Sequence, residues 1–452
     1  MAVTAVTTSM AGAINYTFIT DTSADFASVA NSTYFYNKAD KLVRYKDSTG
    51  TVLEIFSASG GASGIFGIAN TSGVYTYYTT PALAYAAATV GQTIELFADY
   101  TTSSVDVINI TKNVNWNGNG HTWTKTAADE TAIFKSAYAS CDFVMSNLNL
   151  IRQNGTNPSG VIVSNLFNGE NLASGRIIMT GCYFENKSIL GPATAVSIYP
   201  ASLEIVGLTA KSTNIGVYIA AGNIITDSST YGVMGGWVIG SANNCYFSGT
   251  TNTGGYCNSG TFSNCVGVSI SGSGINGGGN MYNSVGRSTS GFGIETSDIQ
   301  IMVNCTGVSV SGMGGWLYNT TTKNLINNTF ISSSSYGLRF QAPYCFNTTT
   351  ISTSNWSFWD TGSLGRIYNA NIITSWNNAA GYGIWGNGGL LPISIIDCRF
   401  NLANATAPYI TNGGTAAVIK MRGNTYEGGA AFNANITQGI TSTEDNQGNI
   451  YL

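Results

Sequence analysis

Four tryptophans, Trp356, Trp359, Trp376 and Trp385, fall within thirty residues of one another. An indole offers a broad apolar face with one polar edge, a surface suited to stacking on a sugar ring. Trp356 and Trp376 are twenty residues apart, which turns out to be the period of the chain and would stack them on one face. An indole is bulky for a narrow interior, so an outer face is expected. There it could meet a ligand or another subunit. Carboxylates for sugar cleavage are sparse by comparison. Glycoside hydrolysis needs two of them about 5 to 10 Å apart. The candidates are Asp360 and Asp397, whose separation of 37 residues would put them two turns apart on one side. Glu295 and Asp298 lie three residues apart within one turn, and Glu427 stands alone.

The remaining reactive groups are few. His121 is the one histidine, so a Ser-His-Asp triad would have to use it and a zinc site built on several histidines is excluded. It sits in Gly118-Asn-Gly-His, which reads as a turn leading into a strand. Eight cysteines (141, 182, 245, 257, 265, 305, 345 and 398) form no Cys-x-x-Cys pair. No metal or cofactor is expected. Cys245, Cys265 and Cys305 share one phase of the repeat. Neighbouring turns would bring such residues within disulfide range, but stacked buried thiols are the expected state.

Composition narrows the classes further. Of 452 residues, 18 are Lys or Arg and 22 are Asp or Glu, a charged share of 9% where about 25% is usual. No apolar run reaches the roughly 18 residues of a membrane span, so no membrane insertion is expected. A net charge of −4 without a basic cluster argues against nucleic acid. The 55 glycines and abundant Asn, Ser and Thr coexist with 43% hydrophobic and 12% aromatic residues, enough for a core. The start, MAVTAVTTSMAGA, lacks the basic and apolar segments of a secretory signal.

A repeat of about 20 residues organises these side chains. Asn244-Cys245, Asn264-Cys265, Asn283-Ser284, Asn304-Cys305 and Asn324-Leu325 follow one another at intervals of 20, 19, 21 and 20. In phase with them, Gly before an apolar residue opens short strands at Gly274, Gly293, Gly337 and Gly383. Alternating strands follow, such as Ile301-Met-Val-Asn-Cys, Ile393-Ser-Ile-Ile-Asp-Cys-Arg-Phe and, earlier, Met179-Thr-Gly-Cys-Tyr-Phe. A leucine-rich signature is absent, and propeller blades need longer repeats. An all-strand period this short leaves a β-solenoid, with turns stacked about 4.8 Å apart and like residues in ladders.

Before the repeat, Thr80-Pro-Ala-Leu-Ala-Tyr-Ala-Ala-Ala predicts a short helix that ends by Gly91 and would cap the open end of the solenoid. Then comes Ile110-Thr-Lys-Asn-Val-Asn-Trp-Asn-Gly-Asn-Gly-His-Thr-Trp. With the helix and the strand between, this segment resembles the entry to right-handed parallel β-helices of the pectate-lyase-like superfamily, which includes phage tailspikes. The resemblance covers roughly residues 75 to 430. It implies an all-β fold: a right-handed single-stranded parallel β-helix of about 17 turns and roughly 80 Å. Residues 1–74 read as a small N-terminal β module and linker. Within it, Tyr34 to Phe56 forms strand, turn and strand with the turn at Asp47-Ser-Thr-Gly50, and Ser57–Gly64 is the linker. Residues 431–452 read as a C-terminal cap.

The resemblance further implies a homotrimeric virion appendage, a phage spike or fibre assembled in the host cytoplasm. Its N-terminal module would join other virion proteins, and its rod would meet a host-surface polysaccharide. A depolymerase on the same scaffold is the alternative, and a cell-surface adhesin the third. Against the enzyme, the polygalacturonase-type motifs Asn-Thr-Asp, Asp-Asp, Gly-His-Gly and Arg-Ile-Lys are missing, as is an Asp-rich cluster for the calcium of a pectate lyase.

Overall fold

The computed structural model describes residues 6–8, 16–21, 33–37, 42–46, 49, 52–57, 64–103, 107–127, 132–136, 142–153, 165–169, 176–187, 194–198, 202–297, 299–318, 324–340, 344–360, 366–375, 383–386, 393–404, 410–412, 417–428, 436–437, 440–442 and 450–451. Most of the Ser57–Gly64 linker, Cys141, Asp298 and Trp376 lie outside the described residues. The chain divides into two units, Met1–Ala87 and Ala88–Leu452.

The first unit carries a five-stranded sheet in sequence order: Val6–Thr8, Tyr16–Asp21, Thr33–Asn37, Leu42–Lys46 and Val52–Ser57. Its last three strands are antiparallel neighbours, with a turn at Thr49 between the final two. A hairpin follows, Phe66–Ala69 against Tyr75–Tyr78. Asn70 closes it, its Oδ1 accepting the N–H groups of Ser72 and Val74 at 2.9 and 3.0 Å. This is the local bonding that makes Asn a turn residue. The helix spans Pro81–Ala87 and buries Pro81 and Ala84. Thr80 precedes it, and its Oγ1 accepts the Leu83 N–H at 3.3 Å, the bond of a helix N-cap.

The second unit is a right-handed parallel β-helix. Each complete turn has three strands, as in Gly255–Cys257, Thr261–Ser263 and Val266–Ser269. Each strand pairs in parallel with its counterpart one turn on. The third strands form one sheet of sixteen. The first and second strands form two further faces. These are joined where Ile215–Thr226 and Met234–Asn243 run across the corner without a break. Strands Ile436–Thr437, Ile440–Ser442 and Ile450–Tyr451 pair on the turn before them and carry all three ladders beyond residue 430.

Between second and third strands the chain turns sharply through one residue with positive φ. This corner residue is Asn244, Asn264, Asn283 and Asn304 at φ 52, 53, 47 and 55. Asn tolerates this left-handed conformation better than other residues with a Cβ. The strand expected from Ile393 to Phe400 is therefore two strands, broken at Asp397, and the one expected from Ile301 to Cys305 ends at Val303, before the corner at Asn304. The buried pattern shifts phase at the corner, where Met302 and Cys305 are three residues apart instead of two. The fifth Asn of the repeat also needs correction. Asn324 opens a second strand, and the corner residue is Asn327 at φ 57.

Corner side chains hand a hydrogen bond along the axis. Asn283 Nδ2 donates to Asn264 Oδ1 at 3.2 Å, and Asn304 Nδ2 to Asn283 Oδ1 at 3.1 Å. Just behind the corner, the next residue points into the bore. There Ser284 Oγ accepts the Cys265 N–H at 3.1 Å, and Asn328 Oδ1 accepts the Cys305 N–H at 2.8 Å. The buried amides of Cys265 and Cys305, which the corner removes from the sheet, are thus each met by a side chain one turn on, as burial demands. At the far end of the third strand, serines form a second axial chain. Ser288 Oγ accepts from Gly291 N and donates to Gly272 O, and Ser309 repeats this with Gly312 and Gly291.

The bore is filled by trading volume across its width. Phe247 and Phe330 project from the third strands with no exposure. Opposite them stand Gly236 and Gly315, where an added Cβ would lie 2.6 and 2.5 Å from the rings. In the turns between, the exchange reverses. Gly267 and Gly286 face Ile275 and Ile294, whose Cγ1 atoms would lie 2.6 and 2.8 Å from an added Cβ. The first turns instead enclose Trp116 and Trp123, packed 6.0 Å apart with Phe134 beside both. The bore therefore does admit indoles, contrary to the expectation from size.

Candidate functional site

The first strand of each turn is short, and its middle residue faces outward between two buried neighbours, as in Gly255-Tyr256-Cys257 and Gly315-Trp316-Leu317. Parallel register stacks these middle residues into a column. It runs from Asn109 through Lys135, Asn168 and Ser197, and its aromatic part starts with Tyr218, Trp237 and Tyr256 on successive turns. Asn276 and Glu295 follow. Trp316, Arg339, Trp359 and Trp385 continue it. Of the nine positions from Tyr218 to Trp385 six are Tyr or Trp, and the column continues beyond them through Thr411 and Thr437.

The rings touch. Tyr218 and Trp237 have centroids 5.4 Å apart, and Trp237 and Tyr256 4.9 Å apart. Beyond the polar pair, Trp316 packs on Phe292 at 4.6 Å and on Tyr318 at 4.8 Å. The Arg339 guanidinium stands over the Trp316 ring at 5.3 Å, a cation–π contact. Trp356 lies beside the column, 5.1 Å from Tyr336 and 4.0 Å from Trp385. The face therefore has two aromatic stretches separated by two polar turns.

Those two turns hold a small network. Glu295 Oε2 accepts from Ser273 Oγ at 2.5 Å and from Asn276 Nδ2 at 3.0 Å. Ser273 is buried at 4% exposure, while Glu295 and Asn276 are half-buried. The carboxylate is held from behind and from one side in the middle of the column.

The structure sorts the residues singled out from sequence. Trp359 and Trp385 are register partners in the column. Trp356 joins them through Trp385, and Trp376 lies outside the described residues. Asp360 and Asp397 do not meet as two turns on one side would require. Asp360 ends a first strand beside Phe340 and Gly386, whereas Asp397 is the corner residue of the following turn at φ 54. Glu427 is not isolated: it accepts from Arg399 at 2.9 Å and Asn401 at 3.2 Å. His121 follows the Asn119 corner, its Nδ1 3.5 Å from Asp99 Oδ1 on the surface.

The cysteines belong to the interior. All seven that are described are buried free thiols. Burial pushes the Cys182 and Cys305 thiols up to about 11 and those of Cys345 and Cys398 up to about 12. A hydrogen bond with Cys245, and then burial, keep the Cys265 thiol protonated.

Sequence reading missed Tyr218, Trp237, Tyr256 and Trp316. The signal was present: in the Gly-apolar pairs that open first strands, the third residue is the column residue, as in Gly274-Ile-Asn276, Gly293-Ile-Glu295 and Gly383-Ile-Trp385.

No family model matches this chain, and neither does any curated protein. Among solved structures, the A-module of the mannuronan C-5 epimerase AlgE6 from Azotobacter vinelandii is similar at 15% identity. The match covers 82% of this chain and 92% of that one with a TM-score of 0.33. At that score the likeness carries no argument about the site.

Proposed function

We propose that this β-helix binds an extended carbohydrate chain along the outward column of its first strands. The observation that carries the proposal is the run of stacked rings from Tyr218 to Trp385, interrupted by Asn276 and Glu295. A solenoid repeats about every 4.8 Å, a spacing of the order of one sugar unit, so successive rings can address successive units. Aromatic faces supply apolar contact to sugar C–H surfaces, and the polar turns supply hydrogen bonds to hydroxyls. Binding is favoured over cleavage because hydrolysis needs a second carboxylate. Among the described residues, the register neighbours of Glu295 are Asn276 and Trp316, neither of them an acid.

The setting we propose for this binding is a virion appendage that attaches to a host-surface polysaccharide. That reading is supported by the resemblance to phage tailspikes. A trimer belongs to the same proposal. It is supported by an apolar strip on the third-strand face, where Val268, Val308, Ile331 and Ile351 stand in register with Arg287 as the one interruption. Ile270 and Val310 at the edge of that strip are 58% and 54% exposed. Contiguous apolar surface of this kind marks contact with another protein.

Affinity electrophoresis in gels containing soluble polysaccharides tests the binding. Retardation of the wild type by at least one polymer, lost in Trp237→Ala and Trp316→Ala with thermal stability kept, is the expected result. Variants retarded as strongly as wild type would sink the proposal. Sedimentation velocity tests the trimer, since a monomer at micromolar concentration contradicts it.

A further inference from the structure

Resting on the carbohydrate reading above, we propose that Glu295 is the specificity residue of the column and that the polymer it accepts is neutral at the sugar facing it. Both donors that reach Glu295, Ser273 Oγ and Asn276 Nδ2, bond to the same oxygen, Oε2. Neither engages Oε1. An ionised carboxylate is an acceptor only, with several lone-pair positions. Oε1 therefore keeps acceptor capacity, on a carboxylate held in place by a buried serine and a neighbouring turn. Its fitting partner is a hydroxyl, and adjacent hydroxyls of a hexose can bond both oxygens.

The same charge excludes acidic sugars. A uronate or sulfate at this turn would set two anions face to face on a half-buried surface, where screening is incomplete. The nearest cation in the column, Arg339, is two turns further on and occupies the face of Trp316. It does not stand between Glu295 and a ligand carboxylate. Tyr256 on one side and Trp316 on the other bracket the polar turns. A neutral sugar there would lie between two ring-stacked neighbours, with its hydroxyls directed at Asn276 and Glu295.

The test uses the full chain in affinity gels containing dextran, laminarin or glucomannan as neutral polymers and polygalacturonate or heparin as acidic ones. Wild type is expected to be retarded by at least one neutral polymer and by neither acidic one. Glu295→Gln, which keeps the shape and removes the charge, is expected to weaken neutral binding about tenfold while its melting temperature stays near wild type. Ser273→Ala, which frees the carboxylate to rotate, should weaken it by a smaller factor. Retardation by an acidic polymer, or a Glu295→Gln variant that binds the neutral polymer as wild type does, overturns this inference and leaves the aromatic column standing as a binding face. No retardation by any of the five overturns both.

Discussion

Two columns run the length of this helix, each placing one residue per turn, and they behave in opposite ways. The corner column draws on three residue types: Asn at 119, 147, 244, 264, 283, 304, 327, 347 and 369, Asp at 227 and 397, and Gly at 181, 207 and 423, all with positive φ. The first-strand column changes chemistry from turn to turn, from Tyr and Trp through Asn and Glu to Trp and Arg. At the corner the backbone conformation restricts the choice to Asn, Asp and Gly, which tolerate positive φ. On the outer face of an extended strand any residue fits, so variation there is free to follow what binds. Restricted repetition marks a demand of the fold, and varied repetition on the same scaffold marks a surface that reads something.

The contrast is sharpest where it is attacked from the corner side. Cys182, Cys305 and Cys398 sit directly behind corner residues, with thiols pushed up to about 11 or 12 by burial. Below the ordinary thiol range both the folded and unfolded chains keep these protons, and stability is unaffected. Above about pH 9 the unfolded chain loses them first, so each thiol lowers stability by roughly 1.4 kcal/mol per pH unit until the folded value is reached. Urea unfolding at pH 8 and pH 10 should differ by several kcal/mol, and equal midpoints would contradict the buried-thiol column.

Next in size is Asn283→Val. A β-branched residue at φ 47 and the loss of two axial hydrogen bonds should cost about 2 kcal/mol in chemical denaturation. Carbohydrate retardation should be unchanged. Ser309→Ala removes an acceptor for the Gly312 N–H and a donor to Gly291 O, for about 1 to 2 kcal/mol. Trp316→Ala should have the smallest effect on stability, under about 1 kcal/mol as a half-exposed change. On binding it should have the largest, about tenfold in affinity. If Asn283→Val disturbs binding as much as Trp316→Ala does, the two columns are not separable and the comparison fails.

Much of this was legible in the sequence. The period, the strand content and the Pro81 helix follow from spacing and residue type. The corner was not, because it marks itself only by a one-residue slip in the alternation, as between Met302 and Cys305, and Asn324, three residues early, mimics the dipeptide of its neighbours. The column was hidden for the opposite reason. Its residues share a position but not a type, so aligning identical letters passes over Tyr256, Asn276 and Trp316. Asp360 and Asp397 misled because linear separation was converted to turns at a constant 20 residues, while the step from Asn369 to Asp397 takes 28.

That variable step has a consequence for how such a chain can change over generations. Corner residues Asp227 and Asn244 are 17 apart, whereas Asn147 and Gly181 are 34 apart, and both pairs are neighbours in one unbroken stack. The stack registers turns and is blind to the length between them. Insertions and deletions can accumulate in the connecting loops, and entire turns can be gained or lost by duplication, without shifting any other residue out of its column. A lineage built on this plan can lengthen, shorten or redecorate its reading face one turn at a time.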